Sequence, residues 1–167
     1  MNKWTKIFFL LYFYLAWFGC ARLGKANDSM LSLFLPLGSF LFILKYRLHS
    51  NQILIRSFYL SLFGLSFDVF STYSGLVSFS SGPMPIWLIS LWFLFFCYLP
   101  QLADFFIRKY LLAFVFGSIF GPLSYLYGEK IKILIFSSNI SHIVYSIFWG
   151  CYFSFSIFYL NSKRTKV

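Results

Sequence analysis

The sequence predicts an all-α polytopic membrane protein, a compact bundle of about six transmembrane helices, and three observations carry that expectation. Of the 167 residues 60% are hydrophobic and only 11% charged, with a mean hydropathy of +0.77, whereas a soluble domain has roughly 25% charged residues. The run from Met84 to Ala103 contains no charged residue, and at about 1.5 Å rise per residue it reaches roughly 30 Å, the thickness of a hydrocarbon core. Lys and Arg fall in short clusters between apolar runs, as orientation signals do. At about 20 residues per span, residues 1–167 hold six helices and are expected to form a single transmembrane domain.

The first span, residues 7–24, follows Lys3 and Lys6. A basic start before an apolar run also describes a signal peptide, and Gly19-Cys20 resembles a lipoprotein cleavage site. Trp17 and Phe18 stand where such a site takes small residues, so the segment is read as a retained helix. Residues 30–44 form a short second span containing Pro36 and Gly38, tolerable where a neighbour satisfies the freed carbonyl. The third span, 53–72, carries Asp68. A charge-free Ser/Gly-rich connection over 71–82 leads through Pro83 and Pro85 into the fourth, 84–103. The fifth is 110–127. The sixth lies within 133–160 and is placed at 140–160, its approach through Ser137-Ser138-Asn139 being read as a re-entrant or interfacial piece.

Six spans put both termini on one side. Of the 14 basic residues, ten lie on the side of the termini and four (Arg22, Lys25, Lys130, Lys132) on the other. The positive-inside rule then makes the termini cytoplasmic. The net charge of +10 fits this asymmetry and contact with anionic lipids rather than nucleic acid. The 25% aromatic content is read as lipid-compatible Phe with interfacial Trp and Tyr. Cys20, Cys97 and Cys151 sit in three separate apolar segments with no paired spacing, so neither a zinc site nor a disulfide framework is expected. No cofactor or metal is implied. The expected partners are membrane lipids and a membrane-protein partner.

Residues three and four apart share a helix face. In the third span Ser57, Ser61, Gly64, Asp68 and Thr72 therefore form a small, polar stripe that should face the bundle interior. The sixth span offers His142, Ser146, Gly150 and Ser154, and the fifth Gly117, Gly121, Ser124 and Gly128. Gly117 and Gly121 have the GxxxG spacing that lets backbones approach closely, and Pro122 should loosen that helix at the Ser118 carbonyl. Alternating direction brings Trp17, Arg22, Asp68, Pro85, Trp87, Ser124, Tyr125, Asn139 and His142 to neighbouring depths, in the outer leaflet or its interface. One reading is a polar pocket with Asp68 and His142 as candidate catalytic acid and base, and Trp17, Arg22, Asp68, Trp87, Ser124 and Tyr125 as candidate binding residues. The other, favoured here, makes Asp68 a lock bonded to Arg22, Tyr125 or a backbone group. There is no HExxH, G-x-S-x-G or phosphate loop, and Glu129 beside Lys130 reads as a solvated surface pair.

Several residues together are similar to the bacterial membrane family known as domain of unknown function 2878: Trp17-Phe18 with Cys20, Gly64-Leu65 with Asp68, Gly75-Leu76 with Phe79, Pro85 with Trp87, Leu91-Trp92, and above all Gly121-Pro122-Leu123-Ser124-Tyr125 with Gly128. The resemblance spans nearly the whole chain and implies a small inner-membrane protein of unknown activity. Pro100-Gln101 and Glu129-Lys130-Ile131-Lys132 depart from the expected pattern. The scarcity of reactive groups favours a non-catalytic membrane module binding a protein partner or lipid. The alternatives are an enzyme acting on a lipid or small molecule at an outer-leaflet polar site, and a solute-binding transporter subunit.

Overall fold

The structure, a computed structural model, describes residues 3–26, 29–46 and 48–162. Helix α1 covers Lys3–Lys25, and a 3-10 turn, Ser29–Leu33, leads into α2, Phe34–Tyr46. Then come α3 (Asn51–Tyr73), strand β1 (Val77–Phe79), α4 (Ile86–Phe105), α5 (Tyr110–Lys130), strand β2 (Leu134–Phe136) and α6 (Asn139–Asn161). Helices α3, α4, α5 and α6 are each long and apolar enough to cross a membrane, and Met30–Tyr46 forms a shorter apolar helix. The chain is thus an all-α membrane bundle. Arg47, Lys163, Arg164 and Lys166, counted above for orientation, lie outside the described residues.

Helix α4 is apolar all round, which is the pattern of a helix with no lipid-facing side. It packs against α1, α2, α3 and α6, and 72% of its apolar window is buried against 28% for α3 and for α5. The outward faces of those two helices instead carry Tyr59, Phe63 and Phe70, and Leu111, Val115 and Ile119, the side chains that hydrocarbon solvates.

With no water in the bilayer core, a proline's missing N–H leaves the carbonyl four residues earlier to be satisfied by a neighbour. Pro100 in α4 releases the Phe96 carbonyl, and the Ser57 hydroxyl of α3 donates to it at 2.8 Å. Pro36 in α2 releases the Ser32 carbonyl, and the Cys20 thiol of α1 donates to it at 3.7 Å. Near the end of α4, the Ala103 carbonyl accepts from Asn161 Nδ2 of α6 at 2.8 Å. Pro122 was expected to loosen α5. It lies buried inside that helix, which spans Tyr110–Lys130.

Small residues set the closest helix approaches. A Cβ on Gly117 would stand 2.5 Å from the Trp149 carbonyl, and one on Gly121 would collide with the Trp149 ring. The GxxxG pair is therefore the seat on which α6 rests against α5. Gly64 plays the same part on α3, where a Cβ would collide with the Trp92 ring.

The α3–α4 and α5–α6 connections meet at one end of the bundle, called the cap end below. There β1 pairs antiparallel with β2, with Val77 opposite Phe136 and Phe79 opposite Leu134. Those four side chains are buried and the central Ser78 and Ile135 exposed, the two-residue alternation of a strand with one covered face. This corrects two expectations. Residues 71–82 contain a strand rather than only a connection, and the approach to α6 is that strand's partner rather than a re-entrant piece. Ser138 then caps α6, its side chain accepting from the Ser141 N–H at 3.4 Å. Three-residue strands are too short for alternation to register in a sequence.

Candidate functional site

Asp68 is fully buried. It lies on the face of α3 that also buries Ser57, Ser61, Gly64 and Ser71, so the polar stripe turns inward as its composition requires. Three other helices deliver a donor to it. Trp92 of α4 donates its indole N–H to Oδ2 at 2.7 Å. The Tyr125 hydroxyl of α5 stands 2.7 Å from Oδ2 and 2.9 Å from Oδ1. Tyr145 of α6 donates to Oδ1 at 3.1 Å.

Helix geometry explains how four distant residues converge. Asp68 and Tyr125 each precede the end of their helix by five residues, and Trp92 and Tyr145 each follow the start of theirs by six. At 1.5 Å per residue all four lie about 8 to 9 Å below the cap end. The aromatic rings lock one another there. Trp92 stacks on Trp149 with centroids 5.3 Å apart and planes 6° apart, and Tyr125 meets Tyr145 edge-on at 4.7 Å.

A buried polar group without partners costs several kcal/mol, and a buried charge more. Asp68 escapes this because each of its contacts is one in which the carboxyl accepts from a neutral donor. Hydrogen bonds to a charged group contribute about 1.5 to 3 kcal/mol each, enough to make the cluster a join between helices rather than a defect.

The other candidates are placed differently. Arg22 does not reach Asp68; it is exposed and its Nε donates to the Tyr127 hydroxyl at 3.2 Å. His142 makes no bond to Asp68 either, so the postulated acid–base pair is not assembled. Its Nε2 lies 3.5 Å from Glu129 Oε2, and Glu129 Oε1 accepts the Phe136 N–H at 3.2 Å. Glu129, expected to be a solvated partner of Lys130, instead ties α5 to β2 and α6. Trp87 is buried, its ring lying where a Cβ on Gly24 would fall. Ser124 donates to the Gly121 carbonyl of its own helix at 2.5 Å. Only Tyr125, of the candidate partners, bonds to Asp68.

Trp92 and Tyr145 escaped the sequence reading as site residues. On α6 the buried positions include Ser141, Tyr145 and Trp149, whereas of the His142, Ser146, Gly150 and Ser154 stripe picked out by polarity Gly150 is buried and the other three are half-buried. The signal available was Tyr145 and Trp149 at helical spacing, amphipathic side chains that combine an apolar body with one donor.

Two cavities adjoin the cluster. A void of about 20 Å³ touches Trp87, Trp92, Ser124 and Tyr125. A larger cleft of about 250 Å³ has walls from α1 and α5 and reaches Trp149. Trp17 lines both, and Asp68 lines neither. Among the described residues no three His, Cys, Asp or Glu side chains are grouped to hold a metal ion.

Residues 6–155 match the family described as a protein of unknown function, DUF2878. The chain belongs to this family. Neither a curated protein nor a solved structure matches it. The matched span takes in Asp68 and all three of its donors, so the carboxyl junction lies within the DUF2878 region and not in an appendage to it.

Proposed function

We propose that this DUF2878 protein is a non-catalytic module of the bacterial inner membrane, with both termini cytoplasmic, that binds lipid or a membrane-protein partner. The observation that carries the reading is the enclosure of Asp68 by three donors. A general acid or base must come within about 2.6 to 3.2 Å of the proton it moves, directly or through one water. Both Asp68 oxygens are engaged at comparable distances by Trp92, Tyr125 and Tyr145, and the carboxyl is sealed from solvent and from both cavities. His142, the other candidate, is turned to Glu129. The chemistry available in the buried region supports cohesion.

The orientation rests on charge. Among the described residues, Arg22, Lys25, Lys130 and Lys132 fall at the cap end, and Lys45, Arg56, Arg108 and Lys109 belong to helix ends and connections at the opposite one. The cap end is therefore the outward-facing one.

An unbiased lipid and metabolite profile of cells lacking the protein tests the reading. The expected result is no single species accumulating as an unconverted substrate. One lipid or metabolite that accumulates in the deletion strain, and is cleared by the wild-type protein but not by Asp68→Asn at equal membrane levels, would overturn it.

A further inference from the structure

The cleft between α1 and α5 extends the membrane-module reading and rests on it. Trp17 and Phe18 of α1, Phe120 and Leu123 of α5 and Trp149 of α6 are among the side chains facing its volume of about 250 Å³. Its reach along the bundle has a definite length. On α5 it extends from Tyr127 to Phe116, eleven residues or about 16 Å at the helical rise. That is about half of a ~30 Å hydrocarbon core, the depth of one leaflet. A single hydrocarbon chain running parallel to the bundle axis matches that length, and the cleft's walls are largely aromatic.

The polar end of the cleft is basic. Phe18 meets Tyr127 edge-on at 5.0 Å, and Tyr127 accepts from Arg22 Nε, which places the guanidinium at the cap-end rim. Arg22 is exposed and forms no ion pair among the described residues. Lys25 and Lys130 close the last turns of the same two helices. Glu129, next to Lys130 in the chain, is held by Phe136 and His142 on the α6 side. Guanidinium groups bind phosphate through paired hydrogen bonds, and this one sits where an acyl chain occupying the cleft would carry its head group.

We propose that the α1–α5 cleft binds one anionic phospholipid, with an acyl chain against Trp17, Phe120 and Trp149 and the phosphate at Arg22. The test is native mass spectrometry of the full chain, delipidated in detergent and titrated with phosphatidylglycerol or, in a parallel arm, phosphatidylcholine of the same acyl chains. One phosphatidylglycerol should bind per chain, about tenfold more tightly than phosphatidylcholine. Arg22→Gln should abolish that preference and Arg22→Lys retain part of it. Ser124→Phe, which narrows the cleft, should weaken both lipids. Equal affinity for the two lipids, an Arg22→Gln variant with unchanged preference, or a lipid-free dimer would each overturn the proposal. None of these results touches the non-catalytic reading, which fails only on an accumulated substrate.

Discussion

Of the two tyrosines, Tyr125 holds Asp68 more firmly, because its hydroxyl lies close to both carboxyl oxygens while Tyr145 approaches one of them at a longer distance. Tyr125→Phe should lower stability in detergent by about 2 to 3 kcal/mol, and Tyr145→Phe by about 1 kcal/mol. Thermal or denaturant unfolding followed by tryptophan fluorescence checks the order. The inward position of Asp68 was legible because an apolar solvent does not accept a stripe of Ser, Gly and Asp. Tyr125 was legible as a neighbour because counting residues from each helix end gives depth. Trp92 and Tyr145 were not, because polarity was taken as the mark of an inward face, and on α6 that mark points to His142 while the aromatic donors fill the interior.

The helices are joined by side chains that repair their own irregularities. Ser57 bonds the carbonyl that Pro100 leaves open, so Ser57→Ala should cost about 1 to 2 kcal/mol. In a Pro100→Ala background, where an intrahelical N–H can take that carbonyl, the same change should cost clearly less. A double-mutant cycle of unfolding free energies measures the difference. The prolines at positions 36, 100 and 122 stand in plain view in the sequence, but which neighbour supplies the donor depends on packing that no local pattern encodes. The paired strands β1 and β2 are a sharper case. Each is three residues long and its partner lies in a different connection, so each reads alone as loop. Helices α3, α4, α5 and α6 follow directly from apolar run length; α4 over Ile86–Phe105, for example, differs from the expected 84–103 only at its ends.

For the molecule as a whole, the carboxyl of Asp68 is the point at which α3, α4, α5 and α6 are tied together, beneath a cap that joins the two connections above it. Helix α1 enters this assembly through α4, and between α1 and α5 lies the cleft, so the bundle is tight around Asp68 and open to a lipid chain along one seam. Hydrogen exchange of the wild type and Asp68→Asn in matched detergent tests the central claim most directly. Asn keeps the size of the side chain but replaces one accepting oxygen with an N–H₂ donor, which faces the incoming donors. The account predicts that exchange rises together in the cap-end halves of all four helices and in β1 and β2, while α2 is little changed. A rise confined to α3, or no rise at all, would contradict it.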